Sequence, residues 1–209
     1  MTGRRRGGVR GPDLGAAAAA LEAGAVVAIP TDTVYGLAVD PTRRGATDAL
    51  FALKSRPETL DLPVLVGSIE QADALAGPAG LSPSARRLAL ELWPGALTVV
   101  VPRRGGLGWS LGAHNQTIGL RLPDHAVARA LCDEVGALAT TSANVHGAPP
   151  CTDADAVRRA FPPSVVVVDG GRCAGAPSTV VSLLGDAPEC LREGAVAWSD
   201  VVAVIGDGD

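Results

Sequence analysis

Five places in the chain set polar side chains close enough together to share a ligand. Thr31, Asp32, Thr33 and Tyr35 put three hydroxyls and a carboxylate into five residues, after the apolar run Ala25-Val26-Val27-Ala28-Ile29 and before Gly36. That cluster suits a polar ligand, and it equally suits a strand-to-helix turn whose threonines cap the helix. Lys54 is the single lysine among 18 basic residues, the rest being arginine. Where charge serves only solubility the two interchange, so a lone lysine marks a place that wants a compact ammonium. Arg56 adds a planar fork two residues on, and the pair fits a polyphosphate or a phosphate beside a carboxylate. The plainer role is a pair of cations at a helix C-terminus. Thr117 and Arg121 lie four apart on one short strand, hence on one face, and Arg121 either clamps a carboxylate or pairs with Asp124. Ser142 and Asn144 offer small donors and acceptors behind a strand, or a turn cap. Ser178 and Thr179 follow Gly175-Ala176-Pro177, where a hydroxyl at a bend faces a ligand or opens a strand.

Strand ends are needed to position these groups. The run that stops at Pro30 reads as a buried strand, because proline fixes φ and cannot donate to a ladder. A helix is predicted over residues 13–23, with Asp13 as its N-cap and Gly24 just past its end, and another over 45–53 that delivers Lys54 at its C-terminal end. Further helices are predicted at 69–76, 83–92, from Pro123 to near Val135, and at 153–160, with strands at 64–67, 97–101, 117–121, 137–140, 165–168, 179–183 and 190–192. Of the strands, 165–168 reads as the strongest. Residues 103–115 read as a glycine-rich loop and the last stretch as an apolar tail. Strands alternate with helices, so the class is α/β or mixed α+β, in one domain over 13–209 behind a disordered basic tail at 1–12.

With 209 residues, 47% of them hydrophobic and 3% aromatic, the chain can bury one large core of Ala, Val and Leu. The formal charge is −4, yet Arg4, Arg5, Arg6 and Arg10 precede any acid, leaving 14 positive against 22 negative charges, or −8, in the body. A body that acidic repels a polyphosphate backbone, which argues against stable nucleic-acid binding. Asp13 and Glu22 interrupt the alanine-rich segment behind the arginines, and no uncharged run nears the roughly 18 residues of a membrane span. No membrane association is expected, and a cytoplasmic location is. Cys132, Cys151, Cys173 and Cys190 form no CxxC pair, and His114, His125 and His146 lack ligand spacing, so no metal site or disulfide framework is expected. The motifs GxxxxGKS/T, GxGxxG and GxSxG are missing, so a nucleotide would need an unusual pocket.

Pro30-Thr31-Asp32-Thr33-Val34-Tyr35-Gly36-Leu37, Lys54-Ser55-Arg56-Pro57, Leu92-Trp93-Pro94-Gly95-Ala96-Leu97-Thr98, Ser142-Ala143-Asn144, Gly175-Ala176-Pro177-Ser178-Thr179-Val180-Val181 and Leu191-Arg192 occur in this order. Together they resemble the motifs of the YrdC/Sua5 family of threonylcarbamoyl-AMP synthases in its single-domain form, over nearly the whole chain. The resemblance implies a twisted, mostly open mixed sheet flanked by helices, with a large concave basic cavity. It also implies a nucleotidyl transfer in which L-threonine, bicarbonate and ATP, with Mg²⁺ on the triphosphate, give L-threonylcarbamoyladenylate and pyrophosphate. This is the first step towards the t6A modification of tRNA, and the product would pass to a tRNA threonylcarbamoyl transferase complex.

By the same resemblance Lys54 and Arg56 are catalytic. The ATP site takes those two with Thr117, Ser142, Asn144 and Arg192, and the threonine site takes Thr31, Thr33, Tyr35, Arg121, Thr141 and Ser178. Tyr35 is expected to wall the pocket. Relatives often carry proline in place of Thr141, serine in place of His146, aspartate in place of Ser182 and proline in place of Glu193, departures that bear on the threonine end. Two alternatives stay open: a related enzyme that adenylates another carbamate, and a non-catalytic RNA-binding module.

Overall fold

The computed structural model describes residues 14–55, 59–145 and 147–206. In chain order these form α1 (Leu14–Glu22), β1 (Val27–Ile29), β2 (Gly36–Val39), α2 (Ala46–Lys54), β3 (Val64–Leu65), α3 (Ile69–Leu75), α4 (Pro83–Leu92), β4 (Leu97–Pro102), β5 (Thr117–Arg121), α5 (Ala126–Val135), β6 (Leu138–Ser142), α6 (Ala154–Ala160), β7 (Val166–Val167), β8 (Thr179–Ser182), β9 (Glu189–Arg192) and α7 (Trp198–Gly206). The nine strands make one mixed sheet in the order β7-β1-β2-β6-β3-β5-β4-β8-β9, which bears out the mixed α/β class. The basic tail, the expected cap Asp13, Arg56 and His146 lie outside the described residues.

Local chemistry explains the helix limits. Ser68, Ser82 and Asp153 cap α3, α4 and α6, their side-chain oxygens accepting from the N–H groups of Gln71, Ala85 and Ala156. At the end of α2, Ser55 enters the left-handed region at φ 48°, alone among the described non-glycine residues. That conformation costs about 1 kcal/mol, and it turns the chain away immediately after Lys54.

Of the two readings of the turn after Pro30, the helix cap is excluded, because Gly36 starts β2, which pairs antiparallel with β1 in the register Ile29↔Gly36. Two expectations need correction. The run at 165–168 is no dominant strand, because only Val166 and Val167 pair, parallel to β1, at a sheet edge with one neighbour. The apolar C-terminal stretch is the helix α7, which packs on α4.

Alternation along the strands separates two faces. Leu97, Val99, Val101, Ile118, Leu120, Ala139 and Val181 point into the larger core, with Leu50, Ala72 and Leu88 from α2, α3 and α4. Val27, Ile29, Ala38, Leu65 and Leu138 point the other way, under Ala17 and Leu21 of α1 and Ala128 and Leu131 of α5. Farther along the sheet the second face turns polar, at Thr98, Arg121, Thr140 and Ser142, and a cavity opens there.

Cys132 lies inside the α1–α5 layer, and burial pushes its thiol up to about 12 from the ordinary 9. Burial also raises Cys151, Cys173 and Tyr35. The native state keeps these protons after the unfolded chain has lost them, so above about pH 9 the unfolded state binds fewer protons. Stability should therefore hold below that pH and fall as pH rises towards 12. Urea midpoints compared at about pH 8 and about pH 10.5 measure the fall, and Cys132→Ala should reduce it.

Candidate active site

The segment between β1 and β2 folds back on the Thr31 hydroxyl. Thr31 Oγ1 donates to the Val34 carbonyl at 2.6 Å and accepts from the N–H groups of Thr33 and Val34, each at 3.2 Å. Its single proton is thereby committed, so Thr33 is the donor in the 2.9 Å contact between the two hydroxyls. Thr33 Oγ1 accepts in turn from Arg121 Nη1 at 3.0 Å.

Arg121 is 6% exposed, and all three of its nitrogens are engaged. Nε donates to the Gly95 carbonyl at 3.0 Å and Nη2 to Asp32 Oδ1 at 2.7 Å. Three of five N–H groups are therefore committed, and one remains on each terminal nitrogen, enough for a second carboxylate. Burial lowers the guanidinium pKa, and the Asp32 charge opposes that shift. Asp32 Oδ1 also accepts from the Asp124 N–H at 3.1 Å. Of the two roles open to Arg121, pairing with the Asp124 side chain is not the one found: that carboxylate pairs with Arg129 at 2.9 Å. Gly95 can present its carbonyl because a side chain there would come within 2.6 Å of the Leu92 carbonyl oxygen.

Lys54, 7% exposed, extends from the end of α2 to the end of β6. Its Nζ donates to the Ser142 carbonyl at 2.6 Å and to Asn144 Oδ1 at 2.7 Å. Ser142 Oγ donates to the same Asn144 oxygen at 2.6 Å, while Asn144 Nδ2 donates to the carbonyls of Val145 and Ala148. The amide is thus oriented from both ends. On β9, Arg192 donates through Nε and Nη2 to the Ser178 carbonyl at 3.1 and 2.9 Å and through Nη2 to Ser178 Oγ at 3.2 Å. Ser178 Oγ also lies 3.1 Å from Thr98 Oγ1. Gly194 lets the next segment pass behind this bend, since a side chain there would sit 2.3 Å from the Pro177 carbonyl oxygen.

These groups meet in one cavity of about 210 Å³, walled by Thr31, Thr33, Arg121, Thr141, Ser142, Ser178 and Arg192, with Thr98, Thr140 and Pro63 beside them. Lys54 and Asn144 reach it through Ser142. Thr117 shares the Arg121 face of β5 but stands outside the lining. Tyr35 does not wall the cavity: it is fully buried, donating its hydroxyl to the Gly171 carbonyl at 2.9 Å and accepting from the Gly170 N–H at 3.3 Å. Asp32, Gly95, Thr98 and Gly194 were given no individual role from sequence, although the first three stand inside quoted motifs. Two larger concavities carry less chemistry, one around Val157, Phe161 and Val165, the other a cup in the glycine-rich loop at Arg103 and Arg104.

Tyr35→Phe should cost about 1–2 kcal/mol in urea unfolding, for two lost hydrogen bonds, and leave ligand affinity at the cavity unchanged. Asn144→Asp places a carboxylate on the Lys54 ammonium. Affinity for inorganic pyrophosphate, used as a polyanion probe and measured by calorimetry, should fall about tenfold or more as that cation is neutralised.

A family model described as telomere recombination, spanning Sua5, YciO and YrdC proteins, matches residues 19–194. A Mycobacterium leprae protein provisionally named threonylcarbamoyl-AMP synthase is 40% identical over 94% of this chain and 90% of its own length. The Bacillus subtilis threonylcarbamoyl-AMP synthase is 38% identical over 93% of this chain, which spans 57% of that longer protein. The crystal structure of Pyrococcus abyssi Sua5 complexed with L-threonine superposes with a TM-score of 0.87 at 33% identity, covering 92% of this chain and 57% of that one. Escherichia coli YciO, at 22% identity and a TM-score of 0.81, matches over 92% of both chains and shows the fold alone. With these matches over nearly its whole length, the chain belongs to the Sua5/YciO/YrdC family.

Proposed function

We propose that this protein is an L-threonylcarbamoyladenylate synthase, forming that product and pyrophosphate from L-threonine, bicarbonate and ATP in the t6A pathway of tRNA. The observation that carries the reading is one cavity lined by two kinds of guanidinium, Arg121 paired with a carboxylate and with two N–H groups left for another, and Arg192 held by neutral oxygens, with the Lys54 ammonium anchored on Ser142 at its wall. The relatives named for this activity and the family member complexed with L-threonine support it.

In this reading Arg121 takes the threonine carboxylate, with Thr33, Thr141 and Ser178 around the rest of the amino acid. Thr31 shapes the turn that holds Thr33. The ammonium first loses a proton to water; the free amine then attacks CO2, formed from bicarbonate with release of hydroxide, making the C–N bond as one C=O π bond opens and passing its second proton to that hydroxide. A carbamate oxygen then attacks the α-phosphorus, and the bond to the β-phosphate oxygen breaks, releasing pyrophosphate with that electron pair. Lys54 and Arg192 neutralise the phosphates, with Ser142, Asn144 and Thr117 along the nucleotide and Arg56 joining them by the family resemblance. Catalysis is then positioning and charge neutralisation. No protein nucleophile is needed, and burial keeps the thiols of Cys151 and Cys173 protonated.

Mg²⁺ would enter on the triphosphate. Among the described residues no cluster of three His, Cys, Asp or Glu side chains could hold a metal ion, and this cation is commonly carried by phosphates and water. Among the described residues no helix is long and apolar enough to cross a membrane. The product would be handed to a separate tRNA threonylcarbamoyl transferase complex.

The test is ATP-dependent pyrophosphate release with bicarbonate and Mg²⁺, comparing L-threonine, L-serine and no amino acid. Threonine-dependent release is expected. Release indifferent to threonine would move the assignment to another carbamate substrate, and no release at all would leave a binding role. Lys54→Ala should lower kcat about 100-fold or more with the fold intact. Arg121→Ala should chiefly raise the KM for threonine, by about tenfold or more.

A further inference from the structure

A cavity that must hold a polyphosphate and an amino acid side by side faces a sorting problem, because every guanidinium in it is a potential phosphate ligand. Threonine arrives as a zwitterion of zero net charge, ATP as a polyanion. Arg121 is buried and Arg192 exposed, yet partial desolvation lowers both pKa values, and the Arg192 charge is felt at Arg121. They differ in their partners. Arg192 is bound to the carbonyl and hydroxyl oxygens of Ser178, which leave its charge uncompensated, and it makes no ion pair among the described residues. Arg121 is bound to the carboxylate of Asp32.

We infer that Asp32 is a specificity-determining residue, cancelling the Arg121 charge so that this end of the cavity accepts an amino-acid carboxylate and excludes phosphate. The placement fits: Arg121 lines the cavity and Asp32 does not, and Asp32 takes one N–H of Nη2, which leaves one N–H on each terminal nitrogen. Asp32 is itself fixed by the Asp124 N–H just ahead of α5. Close by, Asp124 and Arg129 pair with each other, and burial favours the neutral form of His125, whose Nδ1 has no partner among the described residues. The Arg121–Asp32 pair is therefore neutral as a unit, while Arg192 remains cationic. This inference rests on the threonine and ATP reading above.

Asp32→Asn keeps the shape and an acceptor oxygen while removing the charge. It should raise the threonine KM several-fold and make pyrophosphate a competitive inhibitor against threonine, at least tenfold stronger than in the wild type. A merely structural role predicts the first effect without the second, and that result overturns the inference. Asp32→Glu should return pyrophosphate inhibition to the wild-type pattern even where the KM stays raised; failure to do so counts against it. Calorimetry with inorganic pyrophosphate on Lys54→Ala and on Lys54→Ala with Asp32→Asn gives a readout independent of turnover. The double variant should gain a pyrophosphate site that L-threonine displaces, and equal binding by both overturns the inference. Wild-type protein with no threonine-dependent turnover would sink the parent reading separately.

Discussion

A guanidinium that is 6% exposed imposes conditions on everything near it. Its charge must be met and its N–H groups must find oxygens, because a buried cation with unmet donors is among the most costly defects a fold can carry. Arg121 meets its charge and three of its five N–H groups with atoms from separate segments, Asp32 and Thr33 from the β1–β2 turn and the Gly95 carbonyl from the turn after α4, and turns the other two to the cavity. Each partner is fixed in its own way. Thr33 is held by Thr31, Asp32 by the backbone ahead of α5, and Gly95 by its N–H bond to the Leu122 carbonyl. Sequence clusters that look independent are therefore one assembly around one side chain.

The sheet supplies the space for that assembly. One face is apolar along β4, β5 and β8 and is covered by helices. The other is covered only where α1 and α5 sit on β1, β2, β3 and β6. Beyond that cover an apolar side chain would face water, and the alternating positions carry Thr98, Arg121, Thr140 and Ser142 instead. Change of polarity along a single face, rather than between faces, is what marks a cavity on this sheet.

Much of this was legible in the chain. Helix limits followed from caps and glycines, and the spacing of Thr117 and Arg121 gave the strand face correctly. The errors have specific physical origins. Gly36-Leu37-Ala38-Val39 carries a strand without a strong β-former at its start, and its order comes from β1 and β6 on either side, which local propensity does not contain. Val165 to Val168 fails in the opposite sense: high propensity at an edge with a single parallel neighbour yields two paired residues. Sequence offers Arg121 the nearby Asp124 as a partner but does not reveal Asp32, which is 89 residues away. Tyr35 was placed in the pocket with its hydroxylated neighbours, but alternation turns it inward, where the Gly170-Gly171 backbone takes its hydroxyl.

Net charge and local charge point in different directions here, and the difference lies in range and screening. A formal −8 on the body acts on a polyanion lying across the surface, and at physiological salt each surface charge is felt over about 8 Å. Inside the cavity the relevant distances are hydrogen-bond lengths, and Arg121 is buried while Arg192 stands at the exposed rim. A small anion that enters would meet these cations at contact distance, where salt screens least. A nucleic acid too large to enter meets the acidic exterior. Under the proposed reading the same chain would hold a nucleotide in its cavity and repel a polynucleotide at its surface, and the partner of each cation would decide between a phosphate and a carboxylate.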